Sequence, residues 1–167
     1  MVLTKKAALE DKAVDASEAD KVVLAVLRRR PSRTTSIQKL GLLVHAAVAG
    51  KVPAGFAPHF FGGFSDSLDN SLNELCEEGY VFEGPSGEYA LTPAGASLID
   101  NFLSDPLSVK TKDASEKIVG RMVHLSDRDI LAIAYETFPE LTGNSIIKDR
   151  VHRSKKVKNV EVLTVPH

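Results

Sequence analysis

The residues of this chain that could do chemistry fall into blocks of like charge. Between Ser65 and Gly79 stand Asp66, Asp69, Glu74, Glu77 and Glu78, with no lysine or arginine among them. Glu83 and Glu88 extend that block, so residues 65–92 hold seven acids and no base. Two basic blocks oppose it. Residues 21–33 carry Lys21, Arg28, Arg29, Arg30 and Arg33 without an acid; residues 148–158 carry Lys148, Arg150, Arg153, Lys155, Lys156 and Lys158 against Asp149 alone. Clustered bases supply the sequence-independent part of affinity for a phosphate backbone. Clustered carboxylates repel such a backbone and complement a basic protein surface.

No constellation of catalytic residues emerges. Cys76, the one cysteine, falls among leucines at helical spacing, where a thiol behaves as a small apolar group. A nucleophile needs a neighbouring base, and the sequence identifies none for it. His45, His59, His124, His152 and His167 lack metal-ligand spacing, and no cysteine pair supports them. "FGGF" and "GPSG" are too short for a phosphate loop and lack its Lys-Ser/Thr signature. Asp127 and Asp129 suit the first turn of a helix, which capping explains. The sequence therefore makes no case for an enzyme, and no cofactor or metal is expected.

A chain of 167 residues, 43% apolar and 26% charged, is expected to form one soluble domain, or one with an appendage. The absence of Trp points to a core of Leu, Val, Ile and Ala. "MVLTKKAALEDKAVD" has no continuous apolar run of the kind a signal peptide needs, and no segment has the length of a membrane span. A cytoplasmic location is the default expectation.

The charge blocks must be positioned by a succession of short elements. Ser17 is an expected N-cap, with Glu18 and Asp20 in the first turn and Pro31 as the stop of a first helix. Thr35 or Ser36 begins a second, with Ile37, Leu40, Leu43, Val44 and Ala47 as its buried stripe and Gly50 as its end. "KVPAGFAPHFFGGF" is long for a structureless loop, so part of it should form a short strand or pack over the core. A third helix starts after Ser65, carries Leu68, Leu72, Leu75 and Cys76 on one seam, and ends before Gly79.

"YVFEGPSGEYAL" reads as a hairpin. Thr92-Pro93 then opens a fourth helix. "LSVKTKDAS" reads as a linker, followed by a helix from Asp113 with Ile118, Val119, Met122 and Val123, and another from Ser126 with Ile130, Ile133 and Phe138. A last short helix is expected near Asn144-Ser145, and "VEVLTV" in the tail is β-like.

This order, with a short strand before the third helix, is that of a winged helix-turn-helix. "YALTPAG" (Tyr89 to Gly95) resembles the wing phrase Y-x-L-T-x-x-G of MarR- and PadR-like proteins. "KLGLLV" with "FAPHFFGGFSDSLDNSLNELCEEGYV" resembles the YwgA-like and Panacea-type prokaryotic family. Phe56, Pro58, Gly62, Phe64, Ser65, Leu68, Leu72, Leu75, Gly79 and Val81 fit its pattern. His59 and Phe61 stand where that pattern has Tyr, and Gly63 where it has Pro. The match covers about residues 35–96. The resemblance implies a non-enzymatic domain, with Panacea-type members associated with antitoxins that neutralise partner proteins.

The expected fold class is mainly α with a small β-hairpin (α+β). It divides into a flexible tail at 1–15, a winged-helix domain at 16–105, a C-terminal helical extension at 106–153 and a basic tail at 154–167. In a helix-turn-helix the second helix of the pair enters the major groove. One acid there can accept from cytosine, but five without a base set like charge against phosphate. Three readings of that helix stay open: a solvated structural face, a face for a basic protein partner through Asp66, Asp69, Glu74, Glu77, Glu78, Phe60 and Phe61, or DNA contact through Asn70, Ser71 and Asn73. The first alternative to protein contact is DNA binding elsewhere, through Arg28, Arg29, Arg30, Arg33, Lys155, Lys156 and Lys158. The amphipathic segments 115–124 and 127–138 must bury a face, either in cis or against a second copy as a homodimer. The leading expectation is a regulatory protein that acts through an unidentified protein partner, with no membrane contact.

Overall fold

A computed structural model describes Lys12 and residues 17–50, 57–59, 62–102 and 106–141. Helix α1 (Glu18–Arg29) starts where expected, because Ser17 and Asp20 exchange hydrogen bonds. The Asp20 N–H donates to Ser17 Oγ, and the Ser17 N–H donates to the Asp20 carboxylate, both at 3.1 Å. Every residue from Val22 to Leu27 is buried. A helix apolar on all sides belongs in the middle of a domain, and α1 is packed by four other helices and the main hairpin.

Helix α2 (Thr34–Ala49) has no side-chain cap. The helix begins at Thr34, one or two residues before the expected start at Thr35 or Ser36, and Ser36 turns its hydroxyl to Asp127, donating at 2.6 Å. Gly50 ends it in the left-handed region at φ 71°, which glycine adopts without a Cβ penalty. The aromatic segment that follows contains a hairpin of β1 (Ala57–His59) and β2 (Gly62–Phe64), paired Ala57 to Phe64 and His59 to Gly62.

Helix α3 (Asp66–Glu77) begins at Ser65, whose Oγ accepts from the Leu68 N–H. Strands β3 (Val81–Glu83) and β4 (Tyr89–Leu91) form the second hairpin. Ser32, between α1 and α2, adds a one-residue third strand: its N–H donates to the Tyr89 carbonyl at 3.0 Å, and the Tyr89 N–H donates back at 2.8 Å. Helix α4 (Pro93–Phe102) follows, capped by Thr92, whose Oγ accepts from the Gly95 N–H and donates to the Gly79 carbonyl.

The segment expected to be a linker is helical. Helix α5 (Pro106–Met122) runs unbroken through "LSVKTKDAS". Its inward stripe begins with hydroxyls rather than hydrocarbons. Thr111 and Ser115 are buried in register with Ile118, Val119 and Met122, and Ser115 Oγ donates to the Ala25 carbonyl at 3.0 Å. A hydroxyl satisfied in this way can be buried at little cost, yet it hides the helical period from a hydrophobicity count. Helix α6 (Asp127–Thr137) and a 3-10 turn (Pro139–Leu141) complete the described fold.

Both late helices fill their apolar faces in cis: Ile118, Val119, Met122, Ile130, Ile133 and Phe138 join the core of α1 and α2. The chain is thus mainly helical with small antiparallel hairpins, an α+β fold. The expected helix near Asn144, the β-like tail and nearly all of the N-terminal tail lie outside the described residues.

Candidate functional site

The acidic helix is set in place from three sides. Gln38 of α2 is buried and clamps the backbone at the start of α3: its Nε2 donates to the Ser65 carbonyl at 3.0 Å, and its Oε1 accepts from the Ser65 N–H at 2.9 Å. One side chain thereby binds both buried backbone groups, as a neighbouring strand would, and the carbonyl also accepts from the Asp69 N–H at 3.2 Å. Gly41 lets α2 approach the seam closely, since a Cβ there would stand 2.7 Å from Leu68 Cδ1. Leu68, Leu72 and Leu75 are fully buried as a result. Gly79, at φ 84°, turns the chain sharply into β3.

With the seam fixed, Asp66, Ser67, Asn70, Asn73, Glu74 and Glu77 form the exposed side of α3, and Glu78 continues it. The structure therefore brings five of the expected site residues onto one element. Asp66, Asp69, Glu74 and Glu77 make no ion pair with another described residue. The acids differ in what explains them. Asp66 and Asp69 lie in the first turn, where carboxylates stabilise the helix dipole. Glu74, Glu77 and Glu78 lie at the C-terminal end, where a carboxylate opposes the dipole and the last turn holds no base. Glu78 is offset by Lys12 at 3.1 Å; helix stability gives no reason for Glu74 and Glu77.

Ser71 breaks the apolar seam, and its contacts were not foreseen from the sequence. It is buried, and its Oγ donates to Asp20 Oδ1 at 2.5 Å. Asp20 is buried as well, so the N-terminal cap of α1 is tied directly to the middle of α3. Lys12 completes the group, its Nζ lying 3.5 Å from Asp20 and 3.1 Å from Glu78. Burial lowers the Lys12 pKa, but Glu78 and Asp20 outweigh it and leave it raised.

Beside this knot, the start of α1 and the outer side of α3 enclose a polar groove of about 450 Å³. Glu18, Asp20 and Glu74 supply its charge, Ser65, Ser67, Asn70 and Ser71 line its α3 wall, and His45 of α2 reaches it. Burial pushes the His45 pKa down and Glu18 partly restores it, so the imidazole brings no positive charge at neutral pH. A polar residue at a seam position, Ser71, was the one sequence signal for this groove.

The basic block from Arg28 to Arg33 lies toward the other end of α1, roughly 16 Å away at 1.5 Å per residue. Arg28 pairs with Asp100 at 2.8 Å. Arg30 donates to the Leu125 carbonyl at 2.9 Å and to Asp127 at 3.3 Å, fixing the turn between α5 and α6. Arg33 lies 3.9 Å from the same Asp127. Arg29 is exposed, its guanidinium over Gly120 of α5. Phe60, Phe61, Lys155, Lys156 and Lys158 fall outside the described residues.

Cys76 is half-buried, and burial, then Glu83, push its thiol pKa up, away from nucleophilic use. Among the described residues no three His, Cys, Asp or Glu side chains are grouped to hold a metal ion, and no helix is long and apolar enough to cross a membrane. Comparison with known protein families, curated proteins and solved structures finds no match.

Proposed function

We propose that this chain is a non-enzymatic winged-helix regulatory protein that acts through protein contacts, presenting α3 and the β3–β4 hairpin to a basic partner surface. The order of α1, the Ser32 strand, α2, α3 and a hairpin supports the winged-helix reading. The Ser32–Tyr89 pairing supplies the short first strand such a fold has between its first two helices. One feature departs from a simple helix-turn-helix: α2 and α3 are joined through the β1–β2 hairpin rather than a turn of three or four residues.

The observation that carries the functional reading is the placement of Glu74, Glu77 and Glu78. Glu74 and Glu77 oppose the helix dipole at a cost of a few tenths of a kcal/mol or more, Glu78 beside them pairs with Lys12, and Glu83 and Glu88 of the hairpin continue the same sign. Phe82, half exposed on β3, adds an apolar anchor beside them. Charge complementarity of this kind sets partner choice and encounter rate. The test is affinity capture with the full chain against its Glu74→Lys/Glu77→Lys/Glu78→Lys variant. A specific basic protein held by the first and released by the second supports the reading, and equal retention removes it.

The competing reading, DNA contact through Arg28–Arg33 and the basic tail, draws support from exposed Arg29 and Arg33. It is weakened because Arg28, Arg30 and Arg33 each lie within ion-pair distance of an acid. It requires binding to duplex DNA that weakens steeply with salt and is lost in Arg29→Glu/Arg33→Glu. No binding at low salt excludes it.

A further inference from the structure

The outer face of the β3–β4 hairpin carries one bare aromatic ring. Phe82 is 51% exposed, the most exposed of the large apolar side chains among the described residues. Strand alternation puts Tyr80, Phe82 and Gly84 on that face, and the pairing sets them opposite Thr92, Ala90 and Glu88 in turn. The ring therefore stands between two positions with almost no side chain, Ala90 directly across and Gly84 two residues on. Glu88 lies on the diagonal, within reach of a group that rests on the ring. Glu83 belongs to the other face, where it meets the Tyr89 hydroxyl.

The hairpin gains little from this ring. A cross-strand aromatic stabilises a sheet when it meets another bulky side chain, and Ala90 offers a single methyl group. Building on the reading of α3 and the hairpin as a face for a basic partner, we propose that Phe82 and Glu88 form a clip for an arginine of that partner, its guanidinium stacked on the ring and donating to the carboxylate.

Three features of the face select that group. The π face of a ring carries negative partial charge and attracts a cation. Residues 65–92 supply no cation of their own, and Glu88 has no ion pair among the described residues. The guanidinium is planar and weakly hydrated, so it can lie flat on the ring while its N–H edge reaches a carboxylate; a compact, strongly hydrated ammonium does this poorly. Gly84 and Ala90 leave room beside the ring for the methylene stem. A cation–π contact at an exposed site changes affinity by a factor of about two to five, enough to choose between basic partners that the acids alone attract equally.

The probes are fluorescein-labelled hexa-arginine and hexa-lysine, titrated by fluorescence anisotropy into the full-length chain. The wild type is expected to prefer hexa-arginine. Phe82→Leu keeps an apolar side chain but removes the π face; it should lower the arginine-to-lysine affinity ratio about three-fold at an unchanged thermal midpoint. Phe82→Trp should keep or raise the ratio, and Glu88→Gln should lower it. In the wild-type complex the arginine δ-methylene protons should move upfield under the ring current, and Phe82→Leu should abolish that shift. Equal binding of the two peptides by the wild type, or a ratio that survives Phe82→Leu, overturns the clip. If Glu74→Lys/Glu77→Lys/Glu78→Lys still weakens both peptides in that case, the acidic face stands without it. A wild type that binds neither peptide also overturns the clip, while partner capture by the α3 acids decides the proposed function on its own. A thermal midpoint several degrees lower in Phe82→Leu overturns it as well, by assigning the ring to the fold.

Discussion

Replacing Gln38 by Leu tests how the acidic helix is held. Both amide bonds to Ser65 would be lost, at a site where Gln38 is 2% and Ser65 5% exposed. The volume is nearly kept, so packing loss is small. The Ser65 N–H would be buried without a partner, at about 1–3 kcal/mol, while its C=O keeps the Asp69 N–H at 3.2 Å and loses only its second bond. The expected loss is about 2 kcal/mol. With a urea m-value of about 2 kcal/mol/M, the unfolding midpoint should fall by roughly 1 M at unchanged slope. Amide hydrogen exchange gives the local readout, since the Ser65 N–H should be protected in wild type and exchange freely in Gln38→Leu. A loss below about 1 kcal/mol, or an unaltered Ser65 exchange rate, would refute the clamp.

Lys39 is buried, and burial pulls its pKa down to about 8. Below that value the ammonium is held in both folded and unfolded chains; between about 8 and 10.5 only the unfolded chain keeps its proton, so stability rises with pH across that window. The gain of Lys39→Met over wild type should therefore shrink by on the order of 3 kcal/mol between pH 7.5 and 10.5, and a flat difference in urea titrations would contradict this. At Gly95 a Cβ would stand 2.0 Å from the Tyr80 carbonyl oxygen, which accepts from the Thr92 N–H. Gly95→Ala should cost about 3 kcal/mol despite the better helix propensity of Ala; a thermal midpoint within a degree of wild type would show that the backbone yields freely. Glu74→Gln/Glu77→Gln should stabilise the chain by a few tenths of a kcal/mol per site, read by denaturant midpoint, and a loss instead would mean the two carboxylates support the fold.

Where local chemistry decides, the sequence was legible. Ser17 with Asp20, Ser65 with Gly79, and Thr92-Pro93 each carry their own boundary signal, and the helices begin and end there. The α5 linker reading failed because Thr111 and Ser115 hold inward positions that a hydrophobic count scores as polar. The start of α2 was misplaced by one or two residues: no side chain caps it, and Ser36 is drawn to Asp127, 91 residues away. The same limit applies to the site. The acids of α3 were visible on one helix face, since periodicity alone brings them together. The Gln38 clamp, the Asp20–Ser71 tie and the Lys12 seat join residues 27, 51 and as many as 66 positions apart. No local pattern encodes those distances. Arg30 looked like a free phosphate contact, whereas the structure commits it to Leu125 and Asp127.

The central claim, that α3 faces a basic protein partner, is tested most directly by how that partner's retention on the immobilised full chain responds to the charge of α3. Retention should fall steeply with added salt and vanish for Glu74→Lys/Glu77→Lys/Glu78→Lys at every salt concentration. Retention of the same protein, unchanged by that triple reversal, would contradict the claim.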